Sequence, residues 1–252
     1  SGFELNLDGT IIKTKDLAWS LNLNLTTYKN KITRLPEERK TQEVDGVKGY
    51  ASGARFYGEG ESIYTWYMPV YAGVDPETGE SLFYVDKKDE NGNITQGTTS
   101  KYGDATKHLC GTSLPSTYGG FGTSFSFKGL DVSANFTYQL GGKVYDNTYA
   151  DAMSFDRGAI FHKDLLKAWT PENKNSNVPR IQYDDSYMGA QSDRFLTNAS
   201  YLAFQDFTVG YTLPTAWVKA VSLTKVRVYV QGNNLCLWSK RKGLDPRQSL
   251  SG

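Results

Sequence analysis

Leu17-Ala18-Trp19-Ser20-Leu21-Asn22-Leu23-Asn24-Leu25-Thr26-Thr27-Tyr28 decides the fold. Its odd positions as far as 25 read Leu, Trp, Leu, Leu, Leu, and its even positions Ala, Ser, Asn, Asn, Thr. Side chains on a strand alternate between faces, so the pattern predicts one oily face and one wet face. The run is about twice the usual strand length of five or six residues. It suits a tilted bilayer crossing, which takes roughly 9–11 residues. The oily face then meets lipid, and the Asn/Ser/Thr face lines a water-filled lumen.

Strand signals recur in pairs along the chain. The first pair is 3–12 and 16–28, joined by a tight polar turn around Lys13-Thr14-Lys15. A second is about 62–73 and 81–86, flanking the Pro/Gly turn Asp75-Pro76-Glu77-Thr78-Gly79-Glu80. The third is 119–128 and 130–140, joined at Lys128-Gly129, and the last is 201–213 and 222–232. In the third pair Phe121, Phe125 and Phe127 share one parity, as do Leu130, Val132, Ala134, Phe136, Tyr138 and Leu140. The opposite parity of 130–140 is polar throughout, Asp131, Ser133, Asn135, Thr137 and Gln139, as a lumen wall requires. On 226–230, Arg227 and Tyr229 take the lumen parity.

Short turns alternate with long polar segments at 29–61, 87–118 and 141–200, as in outer-membrane barrels. One short helix is expected in the last segment, from Ala159 to Trp169, with Leu165, Leu166 and Trp169 at helical spacing. The pattern predicts an all-β fold, an antiparallel transmembrane β-barrel portion with long extracellular loops. A soluble β-sandwich or jelly roll also alternates polar and apolar residues and is the competing fold.

Composition excludes several classes. The 252 residues carry 28 basic and 27 acidic side chains, so there is no basic excess for a nucleic-acid surface. Mean hydropathy is −0.51, and no run of 18 apolar residues offers a helical membrane span. Cys110 and Cys236 lie far apart, with no metal or redox spacing and no disulfide framework. The start, Ser1-Gly2-Phe3-Glu4, has no signal-peptide character, and Gln248-Ser249-Leu250-Ser251-Gly252 adds no terminal element. The chain reads as an internal piece of a longer protein.

No catalytic constellation, metal site or cofactor motif is found. His108 and His162 show no ligand spacing and read as loop residues. Asp184-Asp185 and Asp86-Lys87-Lys88-Asp89-Glu90 read as solvated loop tips, and Asp89 to Asn93 lacks the calcium-loop ligand series. Gly119-Gly120-Phe121-Gly122 reads as a strand start that needs close backbone approach. Tyr64, Trp66, Tyr67 and Tyr71 admit two roles, an aromatic girdle at the membrane boundary or stacking on cargo.

Several segments resemble the C-terminal barrel region of SusC/RagA-type TonB-dependent outer-membrane transporters. Residues 200–214, SYLAFQDFTVGYTLP, resemble that family's YLRLKNITLGYTLP strand, and VRVYVQGNNL at 226–235 resembles RVYVSGQNL. Gly243-Leu244-Asp245-Pro246 matches its GLDP element. Trp169-Thr170-Pro171-Glu172-Asn173 with Val178-Pro179-Arg180 resembles its WTPENPN…PR loop. Ser116 to Phe121 resembles PTYYGGF, and Gly2-Phe3-Glu4 resembles GFEL. Each motif is weak alone, but they recur in the family's order along the whole chain.

The resemblance implies the last third or so of a barrel of about 22 strands, of which roughly eight lie here. The plug domain, the TonB-contacting segment and the final strand are expected to be absent, and Cys236 departs from the aromatic more usual at its position. It also implies integral localisation in a Gram-negative outer membrane and import of an oligosaccharide or peptide without covalent chemistry. The implied partners are membrane lipid, a SusD-like surface lipoprotein and a TonB complex acting through the plug. The 141–200 loop is the expected lid or cargo contact, with Tyr149, Asp151, Trp169, Asn173 and Asn175 as candidates beside Trp66. The competing functions are a passive structural or pore-forming barrel and a soluble carbohydrate-binding β-domain.

Overall fold

The computed structural model describes residues 1–155, 160–183, 187–219 and 222–247. Asp184-Asp185 and the expected helix start at Ala159 lie outside the described residues. The chain divides into two compact units.

The first unit is built from 1–29, 115–142 and 198–247. It is one antiparallel sheet of six long strands: β1 (Gly2–Lys13), β2 (Leu17–Tyr28), β3 (Thr117–Phe127), β4 (Leu130–Leu140), β5 (Tyr201–Thr212) and β6 (Arg227–Ser239). They pair in chain order as a meander. The β1–β2 turn closes with the Leu17 amide donating to Thr14 Oγ1 (3.0 Å) and the Thr14 amide to Leu17 O (2.7 Å). The β3–β4 hairpin turns on Lys128 (φ +46°) and Gly129 (φ +92°), the two left-handed residues of a type I′ turn. Pro214 and a one-turn helix (Thr215–Lys219) lie between β5 and β6. At about 3.3 Å per residue, strands of 11–13 residues, given the roughly 40° tilt usual in barrels, would span about 30 Å along a barrel axis, a hydrocarbon thickness.

Register keeps the faces sorted across all six strands. One row runs Leu7, Leu23, Phe121, Phe136, Phe204. Its rings stack, Phe121 on Phe136 at 4.9 Å and Phe136 on Phe204 at 4.6 Å. A second row runs Ile12, Trp19, Phe125, Val132, Val209, Val230, and a third Leu17, Phe127, Leu130, Tyr211, Val228. No Asp, Glu, Lys or Arg takes these face positions. Simple alternation would not achieve this on β5, where Phe204 and Phe207 are three apart. A bulge at Gln205 absorbs one residue and returns Phe207 to the oily face, and β6 bulges between Asn233 and Cys236.

A polar group on the oily face needs a partner in hydrocarbon. Trp19 Nε1 donates to Thr123 Oγ1 at 3.0 Å, and that hydroxyl donates in turn to the Ser20 carbonyl (3.4 Å).

The second unit comprises 30–114 and 143–197 within the described residues. It corrects the expectation for the second strand pair. Residues 62–73 and 81–86 are not long sheet strands. They form Thr65–Pro69 in a five-stranded sheet, and Tyr71–Val74 and Ser81–Lys88 in a three-stranded one. Tyr64, Trp66, Tyr67 and Tyr71 therefore make no girdle on the oily sheet. Six long strands are described in that sheet, where roughly eight were expected.

The unit has its own core: Trp66, Met68, Cys110, Tyr145, Met153, Leu165, Met188 and Phe195, with Phe56 and Phe83 fully buried nearby. These residues come from segments that look polar in sequence. A helix unforeseen in the sequence (Asn147–Met153) is capped by Asp146, whose carboxylate accepts the Tyr149 amide at 3.0 Å. Of the helix expected up to Trp169, only the 3-10 turn Lys163–Lys167 forms. Leu165 is buried there while Leu166 is 91% exposed, because a single tight turn presents just one side to the core.

Candidate functional site

The wet face of the sheet is a continuous hydrogen-bonding wall. Asp8, Asn22, Gly122, Asn135 and Asp206 share one row. Asn135 Nδ2 donates to Asp206 Oδ1 at 2.8 Å. Gly122 leaves the space that this needs, since a Cβ there would lie 2.1 Å from Asn135 Oδ1 and 2.9 Å from Asn22 Oδ1. Nearer the turns, Arg227 Nε donates to Asp131 Oδ1 at 3.0 Å, and the guanidinium lies over Gly210. Arg227 and Tyr229 take the lumen side, with Arg227 held in a polar network.

At the opposite end of this face the structure adds a feature the sequence did not suggest. A groove of about 380 Å³ is lined by Asn24, Tyr118, Gln139, Tyr201, Gln205 and Arg247, among others. Arg247 folds back from beyond β6, donating to Gln205 Oε1 (3.2 Å) and to both Asp245 oxygens. The ion pair holds the Asp245 carboxyl below its ordinary range and raises the guanidinium. The groove thus offers tyrosine rings and amides with its charge balanced. Tyr118, Tyr201, Asn24 and Gln139 do share the lumen parity, which is the signal that could have found them.

The six candidates named from the sequence fall in the second unit and do not converge. Trp66 is 3% exposed, its Nε1 donates to the Lys143 carbonyl (3.1 Å), and the Arg55 guanidinium lies 3.5 Å from its ring centre. It is a core residue with no face left for cargo, which corrects its candidacy. Burial pulls the Arg55 guanidinium down from its ordinary value. Tyr149 donates from its hydroxyl to Asp164 Oδ2 (3.0 Å) and packs edge-on to His162 and Phe195.

Trp169 explains the Trp-Thr-Pro-Glu-Asn…Pro-Arg motif in physical terms. Its Nε1 donates to the Pro76 carbonyl (3.0 Å), and its ring lies on Gly79. Gly79 has φ +74°, and a Cβ would come within 2.5 Å of the indole. Arg180 donates to Thr78 O (2.8 Å) and Glu80 Oε1 (3.2 Å), while Lys174 pairs with Glu77 (2.9 Å). The motif clasps the Asp75–Glu80 turn, which Asp75 itself closes by accepting the Glu77 and Thr78 amides. Asn173 donates back to Lys167 and Ala168 carbonyls within the same loop. Asp151, Asn173 and Asn175 are exposed.

The two histidines are structural. His108 Nδ1 bonds Asp45 Oδ1 at 2.7 Å, with Asp86 3.5 Å from Nε2, and the His162 side chain caps the 163–167 turn. Burial pushes the Cys110 thiol up to about 11 and the Tyr145 hydroxyl to about 12. No group of three or more His, Cys, Asp or Glu side chains suited to a metal occurs among the described residues.

No family model matches the chain. A solved structure of the RagAB peptide transporter superposes over 100% of it with TM-score 0.77 and 29% identity, using 26% of that chain. The RagAB peptide importer in its closed-closed state matches with TM-score 0.76. TonB-dependent receptor P3 of Formosa agariphila is 27% identical over 262 residues, covering 97% of this chain and 25% of that protein. TonB-dependent receptor SusC of Bacteroides thetaiotaomicron is 27% identical over 254 residues, covering 97% and 24%.

The chain is a relative of the SusC/RagA-type TonB-dependent receptors. It spans about a quarter of the length of the curated relatives it matches. The RagAB superposition covers the whole chain, the six-stranded sheet included.

Proposed function

We propose that this chain forms wall and loops of a Gram-negative outer-membrane importer that takes up a nutrient with energy from a TonB complex. The carrying observation is the sheet itself: six strands in register, hydrocarbon on one face and amides and carboxylates on the other. That sorting suits a wall between lipid and an aqueous bore. No bond is made or broken; cargo is captured, then admitted. The cargo is an oligosaccharide or a peptide, and a SusD-like lipoprotein closes over the extracellular loops. Asp151, Asn173 and Asn175, exposed on the second unit, and the Tyr118–Tyr201–Arg247 groove are the surfaces we assign to cargo contact.

The test uses the full-length parent protein in cells with and without a functional TonB complex, supplied with labelled oligosaccharide and peptide pools. Uptake that requires both the protein and TonB supports the importer. Uptake that persists without TonB indicates a passive pore and overturns the proposal.

A further inference from the structure

We propose that the groove of Tyr118, Tyr201 and Arg247 is a subsite for one pyranose ring of a neutral oligosaccharide. The inference rests on the importer reading above and narrows its cargo to a single class.

Register builds the groove. Tyr118, Gln139 and Tyr201 share one row of the wet face, with Gln139 between the two tyrosines. Adjacent strands lie about 4.8 Å apart, so the tyrosines leave the sheet about 10 Å from each other. The next wet row toward the strand centres is Asn24, Gly120 and Thr137. Gly120 has no side chain, and a Cβ there would lie 2.9 Å from the Phe136 carbonyl oxygen and 3.4 Å from Asn24 Nδ2. Bare backbone therefore floors a recess whose rim carries two aromatic rings. Tyr118 is 42% exposed and meets Tyr28 edge-on, and the Arg247 guanidinium lies 6.0 Å from the Tyr201 ring centre.

The polar groups of the groove both give and take hydrogen bonds. Gln139 Nε2 donates to the Ala199 carbonyl (3.2 Å), which leaves its Oε1 as an acceptor. Gln205 Oε1 accepts from Arg247 (3.2 Å), which leaves its Nε2 as a donor. Asn24 offers both functions, and Thr137 adds a hydroxyl. A sugar matches this set. Each of its hydroxyls donates and accepts, and the C–H faces of its ring pack on the electron-rich faces of aromatic side chains. Charge is matched as well. Arg247 is neutralised by Asp245, with Nε 2.8 and 3.1 Å from the two carboxylate oxygens and Nη2 2.6 Å from one of them. A peptide fits less well on two counts. β2 to β5 are paired on both sides, so no strand edge is open to an extended backbone. Its charged termini would also find no free counter-charge in the groove.

The test is isothermal titration of the full-length parent in a non-glycosidic detergent. Maltohexaose and mannohexaose serve as neutral glycans, hexagalacturonate as an acidic one and a Ser-Gly hexapeptide as the peptide. Wild type is expected to bind a neutral glycan and neither of the other probes. Tyr118→Ala/Tyr201→Ala should raise that Kd roughly tenfold, while Tyr118→Phe/Tyr201→Phe, which keeps both rings, should hold it within about threefold. Heat-modifiable mobility checks that each variant is folded. Asp245→Asn leaves the guanidinium without its counter-charge and should let hexagalacturonate bind. Absence of neutral-glycan binding, or a Kd that Y118A/Y201A does not move, overturns the subsite. Tyrosine-dependent binding of the peptide in place of the glycans overturns the sugar assignment. TonB-independent uptake would remove the importer reading without altering this binding equilibrium, so the two failures are distinguishable.

Discussion

Leu23→Arg and Asn22→Arg differ by one residue and should differ sharply in outcome. Leu23 sits mid-strand on the oily face between Leu7 and Phe121. An arginine on the lipid face near mid-membrane costs about 2–4 kcal/mol. At about 1.4 kcal/mol per factor of ten, that is a roughly 30- to 700-fold shift toward the unfolded or uninserted state. Asn22 faces the other way, opposite Asp8 and beside Gly122, so a longer side chain there extends away from the oily face. The Asp8 carboxylate favours the new charge, so the change should stay within about 0.5 kcal/mol, as for other tolerant surface positions. The assay is urea unfolding of the full-length parent in phospholipid vesicles, followed by heat-modifiable electrophoretic mobility. Equal losses for both variants, or a larger loss for Asn22→Arg, would refute the facing assignment and the barrel wall with it.

Trp66→Ala should destabilise the second unit by about 3–5 kcal/mol, seen as faster limited proteolysis within 30–114, whereas a cargo-stacking role would leave proteolysis unchanged. Gly79→Ala forces a Cβ toward the Trp169 ring at a positive φ and should release the turn clasp at a cost of about 1–3 kcal/mol, read as faster amide exchange at 75–80 and 168–180. Cys110 should resist iodoacetamide at pH 8 until denaturant is added, because burial holds the thiol protonated. The sign follows from linkage: the folded thiol ionises near about 11, above the unfolded value, so its contribution is complete below the unfolded pKa and is lost as pH rises through 11. A melting temperature that rises across that interval would contradict it.

The long strands were legible because lipid and water each constrain one parity, so that β2 and β4 announce themselves. The bulges were not. Gln205 changes the facing of everything after it on β5, yet nothing in Phe204-Gln205-Asp206-Phe207 distinguishes a bulge from a strand with mixed faces. The 62–73 and 81–86 segments misled for a different reason. Short strands of a separately packed unit also alternate, and only burial of Trp66, Met68 and Phe83 tells them from the long sheet strands. That core was invisible in sequence because each segment contributes one or two apolar residues without a period. The candidate site suffered most. Exposed polar residues were read as ligands' partners, while Trp169 clasps the distant Asp75–Glu80 turn, Asn173 bonds within its own loop, and the groove at Arg247 needed a fold-back that no spacing encodes.

The bond from Trp19 to Thr123 solves a problem that face sorting leaves open. Sliding β2 past β3 by one residue turns every side chain over and is heavily penalised, but sliding by two restores inside and outside. In either two-residue slip the indole nitrogen would meet Phe121 or Phe125 in place of a hydroxyl, stranded in oil without an acceptor. A single threonine in a row of phenylalanines thus proofreads the alignment that alternation alone would accept.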